Sequence, residues 1–278
     1  MQRKNRALEI LRWGLILIFV FGSIFPFYFA ILNSFRLVSR IPDLGWLPTQ
    51  LTLRNWVTAF SEGSMIPRWT FNSLFVTLCI TILAICTDTL AAYAFSRKRF
   101  PGSKLLLGLI IFGLTIPQAV LIIPVFFIMA KAGLINTYIA LILPAASALG
   151  VFMMTQSMKS IPVELDEAAF LDGCNDFQVL KWVILPLLKP ALASLSIILF
   201  LDYWNWFLYP LIVTTTLNMR TLPVGLYIMA PPGDAGTYIL PNWGLIMVIM
   251  TIMVAPVLVI FTIFQDYFTK GIALTGFR

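Results

Sequence analysis

Six long apolar runs divide the sequence, at about 13–33, 70–96, 104–130, 137–158, 189–212 and 242–264, with basic and turn-forming residues crowded between them. Each run is near the length of about 20 residues that a helix needs to cross the hydrocarbon of a bilayer. A spanning barrel would need segments of about 10 residues that alternate apolar and polar positions. These runs are instead continuous and rich in Leu, Ile and Phe. Backbone polar groups in lipid must be satisfied within the segment, so the pattern predicts an all-α integral membrane protein with six transmembrane helices in a single domain, 1–278. The first run reaches past Phe29 with no small-residue cleavage pattern after it, which predicts a retained span rather than a secretory signal. Pro26, Pro117, Pro124, Pro144, Pro210 and Pro256 fall inside the runs. Each frees a backbone carbonyl that a neighbouring helix or a hydrated cavity must satisfy; kinked helices around a pathway are one outcome, and an ordinary packing irregularity is the expectation for any single proline.

Charge adds a direction. Counted with the N-terminus inside, thirteen basic residues fall on the cytoplasmic side: Arg3, Lys4, Arg6, Arg12, Arg97, Lys98, Arg99, Lys104, Lys159, Lys181, Lys189, Lys270 and Arg278. Six fall outside, namely Arg36, Arg40, Arg54, Arg68, Lys131 and Arg220. The bias predicts a multi-pass protein of the cell (inner) membrane with both termini cytoplasmic. The net charge of +7 is then topological and implies lipid, not nucleic acid, as the partner. The first external loop, about 34–69, carries Trp46, Trp56 and Trp69, expected as interfacial anchors, with a partner-facing surface as the other reading. The last, about 213–241, contains Pro223, Pro231-Pro232-Gly233 and Pro241, which forbid a long helix there and suit a shaped loop facing a soluble partner or the pathway mouth.

Composition removes most catalytic chemistry. The chain has no His, and Cys79, Cys86 and Cys174 lack the spacing of a metal or redox site. No Gly-Lys dipeptide occurs, which excludes the phosphate-cradling loop of P-loop ATPases. No cofactor, metal or catalytic residue is expected.

One polar, acidic island interrupts the apolar pattern, at 161–186. Pro162 suits a first helical turn, and Glu164, Asp166 and Glu167 complement the positive end of the helix dipole. Ala168 and Ala169 favour helix and let another backbone approach, while Leu165 and Phe170 offer apolar knobs. Gly173 can take a left-handed turn, Asn175 or Asp176 can cap a second short helix, and Pro186, after Leu185, is expected to end it. The segment therefore predicts helix, Gly turn, helix, on the cytoplasmic side.

Glu167-Ala168-Ala169, three residues, Gly173, nine residues, then Val183-Ile184-Leu185-Pro186 resembles the signature loop of ABC importer permeases, with Val183 in place of the usual Ile. Ala91 to Gly102, Ile116-Pro117 with Pro124, Gly133 to Thr137 and Trp204 to Leu211 extend the likeness to carbohydrate-importing permeases related to the maltose system, over 15–278. The ending Lys270-Gly271-Ile272-Ala273-Leu274-Thr275-Gly276 is similar to the Gly-rich tail of that group's second permease subunit but departs from its commoner form. The resemblance implies a type I importer: a second related permease subunit, two cytoplasmic ABC ATPase subunits and an external solute-binding protein that delivers a sugar or oligosaccharide. It implies that Glu164, Leu165, Asp166, Glu167, Ala168, Ala169, Phe170, Gly173, Leu185 and Pro186 dock the ATPase.

Two acids lie within the runs. Asp88 and Asp202 are costly in hydrocarbon, by about 2.5–3.5 kcal/mol on insertion scales, and should face a cavity or a partner. Asp202, beside Tyr203, Trp204, Asn205 and Trp206, is the better pathway candidate, since sugars pair with aromatic faces and amide or carboxylate groups. Asp202, Tyr203, Asn205 and Trp206 are the candidate pathway set, but a structural hydrogen bond between helices is the expected role of both acids. Rival readings are an ion-coupled secondary carrier using Asp88 and Asp202, an ABC permease for a polyol or glycerol phosphate ester, and a membrane assembly or sensory subunit.

Overall fold

The computed structural model describes residues 2–38, 43–230 and 242–275, with side chains described between residues 8 and 263 of these. Along the chain run α1 (Gln2–Ser34), α2 (Arg54–Ala59), α3 (Ile66–Arg97), α4 (Ser103–Gly113), α5 (Gln118–Lys131), α6 (Tyr138–Ile142) and α7 (Ala148–Lys159). Then come α8 (Glu164–Leu171), α9 (Asp176–Gln178), a π-helical turn (Val179–Ile184), α10 (Leu185–Leu187), α11 (Lys189–Trp204), α12 (Leu208–Val213), α13 (Leu222–Met229) and α14 (Trp243–Thr275). The fold is helical, as the apolar runs require.

Three helices are long and apolar enough to cross a membrane unbroken: Leu8–Ser34 within α1, Ile66–Arg97, and Trp243–Ile263 within α14. They correspond to the first, second and sixth expected spans. The third is a pair, α4 and α5, bent by 107°. Pro117 sits at the bend as the residue before α5, where its missing N–H and the restriction it places on Ile116 stop the helix. The fourth is interrupted between α6 and α7 at Leu143–Ser147, where Pro144 acts in the same way and Ser147 restarts the helix by accepting the Gly150 N–H at 3.0 Å. The fifth begins at an 81° bend before α11 and breaks again after Trp204. By length and composition the described residues hold three continuous spans, or five if each bent pair is one span.

The residues group into two compact units. The first comprises Met1–Arg68 and Val224–Pro256. Within it, Asn33 is fully buried and holds Gly45 through both faces of its amide, donating to the carbonyl at 3.0 Å and accepting the N–H at 2.9 Å. Trp46 packs on Phe25 and Phe29, and Trp56 lies between Phe35 and Phe60. Much of α1 exposes Leu, Ile and Phe, a surface that suits lipid or another helix and would aggregate in water.

The second unit comprises Trp69–Pro223 and Val257–Arg278. Trp69, expected as an interfacial anchor, is instead 4% exposed and donates its indole N–H to the Leu217 carbonyl at 2.8 Å. One core cluster joins Val76, Ile80, Met129, Leu141, Tyr209 and Val213. Another joins α3 and α7 to the 161–188 segment through Ala92, Tyr93, Met154, Met158, Ala169 and Val179. Pro231, Pro232, Gly233, Pro241, Arg40 and the side chains of the 270–276 tail lie outside the described residues.

Candidate functional site

The acidic island folds in the second unit as two helices around a Gly turn. The α8 helix carries Glu164, Asp166 and Glu167 in its first turn, where the free N–H groups and the dipole favour them. Gly173 has φ of +87°, a left-handed value at which an L side chain meets its own backbone. Asn175 then caps α9 through a reciprocal box: its side chain accepts the Gln178 N–H at 3.0 Å, and the Gln178 side chain accepts the Asn175 N–H at 2.8 Å. Pro186 stands one residue before the end of this helix at Leu187, close to the stop expected there. It sits in the first positions of α10, directly after the π-helical turn whose wider winding alters the ladder into which proline cannot donate. The chain bends later, at Leu188.

Of the ten expected docking residues, Glu164, Leu165, Glu167, Ala168, Phe170, Gly173 and Pro186 are exposed. Asp166 and Ala169 turn inward, and Leu185 is half-buried against the core. Ala169 packs with Tyr93 and Met158. Asp166 meets Arg97 at the end of α3, with Arg97 Nε 2.5 Å from Asp166 Oδ2 and both side chains under a tenth exposed. The approach is a charge contact without hydrogen-bond alignment, since Nε lacks an aligned partner. Arg97 Nη2 donates to the Ile161 carbonyl at 2.9 Å. Next along, Lys98 donates to Asp176 Oδ1, which also accepts the Tyr93 hydroxyl at 3.1 Å. The bond from Lys98 holds the Asp176 carboxyl below its usual range. Lys98 Nζ lies 5.7 Å from the Phe170 ring centre, within cation–π reach.

Tyr93, Arg97 and Lys98 escaped the sequence reading as partners of the loop. A signal existed: the basic run 97–99 and the acidic island fall on the same side of the membrane in the charge count. Loss of the two ion pairs should differ. Asp166→Ala strands a buried guanidinium and should cost about 3–5 kcal/mol, whereas Asp176→Asn, at a half-exposed pair, should change stability by about 1 kcal/mol or less. Thermal unfolding in detergent checks the contrast, and equal melting losses would contradict it.

Gly173→Val forces a branched residue to positive φ at a cost of about 1–2 kcal/mol and swings α8 against α9. If the loop docks an ATPase, as the resemblance implies, retention of that ATPase during affinity purification should fall while the amount of protein in the membrane stays constant. Unchanged retention would show that the turn is dispensable.

The pathway candidates sit where α11 ends. Asp202 and Asn205 are exposed, and Tyr203 and Trp206 are half-buried. Trp206 stacks on Tyr209 with centroids 4.8 Å apart and meets Tyr203 edge-on at 5.4 Å. Asn205 donates to the Leu201 carbonyl at 2.8 Å. The polar pair presents an acid and an amide, and the aromatic pair is committed in part to packing. Asp88 is 1% exposed and accepts the Ser147 N–H at 3.3 Å where α7 begins, a hydrogen bond between α3 and the start of α7. Among the described residues no cluster of His, Cys, Asp or Glu could hold a metal ion.

Comparison with known proteins places this geometry. The profile of the family described as binding-protein-dependent transport system inner membrane component matches residues 89–274. An arabinooligosaccharides transport system permease protein of Halalkalibacterium halodurans is 33% identical over 99% of both chains. An sn-glycerol-3-phosphate transport system permease protein of Brucella abortus is 31% identical, covering 93% of this chain and 95% of that one. Among solved structures, a chain of a bacterial ABC transporter involved in import of the acidic polysaccharide alginate superposes with a TM-score of 0.82 at 22% identity, over 96% of this chain and 98% of the other.

Proposed function

Because the chain belongs to the family of binding-protein-dependent transport system inner membrane components, we propose that it is one permease half of a type I ABC importer for a sugar or oligosaccharide. A second permease, two cytoplasmic ATPase subunits and an external binding protein complete the machine. The chain itself performs no chemistry, and its spans form one transmembrane domain with both termini and the 160–186 loop in the cytoplasm. The observation that carries this reading is the exposed face of α8, where Glu167, Ala168 and Phe170 stand free of the core before a left-handed Gly173. ATP binding by the partner pair moves this loop, and the spans change between inward-open and outward-open states that the ligand and ATP bias differently.

Family membership removes the ion-coupled carrier. Between a sugar and a glycerol phosphate ester, the first is favoured by Asp202: an exposed carboxyl next to Asn205 suits neutral hydroxyls and repels a phosphate. The likeness to an arabinooligosaccharide permease supports the same choice, and the glycerol-3-phosphate permease relative keeps the ester as the second reading. A thermal-shift panel on the cognate binding protein decides. Stabilisation by a neutral mono- or oligosaccharide supports the proposal, and stabilisation by a phosphate ester alone overturns it.

A further inference from the structure

The α3 helix, long and apolar enough to cross a membrane, is tied by side chains at both of its ends. It runs unbroken for 32 residues from Ile66 to Arg97, about 48 Å at about 1.5 Å per residue, and has no proline after Pro67. The expected spans on either side of the signature loop in sequence are by contrast broken at Pro144 and after Trp204. At one end Arg97 holds both the entrance to α8, through the Ile161 carbonyl, and its first turn, through Asp166. Lys98 and Tyr93 hold Asp176 at the start of α9. At the other end Trp69 donates to the Leu217 carbonyl. Asn72, fully buried, donates to the carbonyls of Asn218 and Arg220, each at 2.8 Å. Ser73 accepts the Leu222 N–H at 2.7 Å. The segment 217–222 leads directly through α13 towards 231–241, the proline-rich stretch expected outside.

We infer that α3 is a connecting rod that carries displacement between the 161–176 docking loop and the 217–222 segment on the far side, with Arg97, Lys98 and Asn72 as the positioning residues that fix its ends. A stiff helix with polar contacts at both termini transmits a shift as a body, whereas a broken span absorbs it at the break. Closure of the ATPase pair would reach the external surface by this route. By reciprocity, an external binding protein would be felt at the docking loop. The inference rests on the ATPase-docking reading above.

Two experiments on the full complex in proteoliposomes test it. In a chain with Cys79, Cys86 and Cys174 replaced by Ser, Lys98→Cys and Asp176→Cys are bridged by a short bis-methanethiosulfonate. The rod predicts that bridging leaves ATP-driven uptake within about twofold of the unbridged protein, because the joined groups never separate. Loss of uptake on bridging, restored by reduction, would show that the loop slides against α3 and would overturn the inference. At the other end, Asn72→Ala, with Trp69→Phe as a milder variant that keeps an aromatic ring but removes the indole N–H, should leave ATPase co-purification and basal hydrolysis unchanged. Stimulation of hydrolysis by the binding protein should drop about tenfold in the first and measurably in the second. Full stimulation in both variants contradicts the rod. Failure of the ATPase to co-purify with the unsubstituted chain would instead reject the docking reading on which it rests.

Discussion

Gly150→Ala should sharply reduce the amount of folded protein, and Asp88→Ala introduced alongside it should restore much of the loss. A methyl group at Gly150 would overlap the Asp88 carboxyl, with the carboxyl carbon only 2.8 Å and the Asp88 Cβ 3.2 Å from the new atom. Asp88 has nowhere to go: it is 1% exposed and bound to the Ser147 N–H that opens α7. Overpacking at such a contact costs about 1–3 kcal/mol, and losing the hydrogen bond adds about 1 kcal/mol. The single change therefore threatens much of a marginal stability. Removing the carboxyl relieves the clash, so the pair should be less than additive, as expected for residues in direct contact. Melting in detergent of the two single variants and the double variant measures the coupling. A Gly150→Ala protein that melts with the unsubstituted one would show that α3 and α7 are not this close.

The second large effect concerns α8. Ala168→Trp places an indole on an exposed turn, where surface substitutions typically change stability by about 0.5 kcal/mol or less. If the exposed face of α8 seats against an ATPase, the same indole stands where close backbone approach is needed. Losses at the centre of an interface run to about 2–4 kcal/mol, on the order of 30- to 1000-fold in affinity. The substitution thus separates docking from folding: the chain should insert and melt normally yet lose its ATPase. Asp166→Ala, by contrast, acts on the buried side of the same helix and should damage stability first.

These two cases mark what the sequence could reveal. The helical membrane class was legible in the length and continuity of the apolar runs, and the helix, turn and helix at 161–186 in Gly173 and in the Asn175 cap. Which acid on α8 faces inward was not, because Asp166 and Glu167 are neighbours with equal local claims. The choice is made by Arg97, far away in sequence, whose guanidinium is buried beside Asp166. The breaks at Pro117 and Pro144 were legible as irregularities only, since a proline in a span either kinks the helix or ends it according to what receives the freed backbone groups. At Pro144 the break leaves Ser147 to restart the helix and Asp88 to accept its N–H, a tertiary fact. Pro186 was legible as a stop, and the helix ends one residue later at Leu187, although the π-helical turn before it was not legible. The pathway set was legible as chemistry but not as geometry, for Tyr203 and Trp206 spend part of their surface on Tyr209 and the core.

The most direct test of the central claim, that this chain is a gate moved through its 160–186 loop by a partner's ATP, is solute uptake into proteoliposomes. These would hold the two permeases and the ATPase, with ATP inside and the loaded binding protein outside. Uptake should require both ATP and the binding protein, and should fall at least about 30-fold in Ala168→Trp while the amount of inserted chain is unchanged. Uptake that proceeds on an ion gradient without ATP, or that survives Ala168→Trp intact, would contradict it.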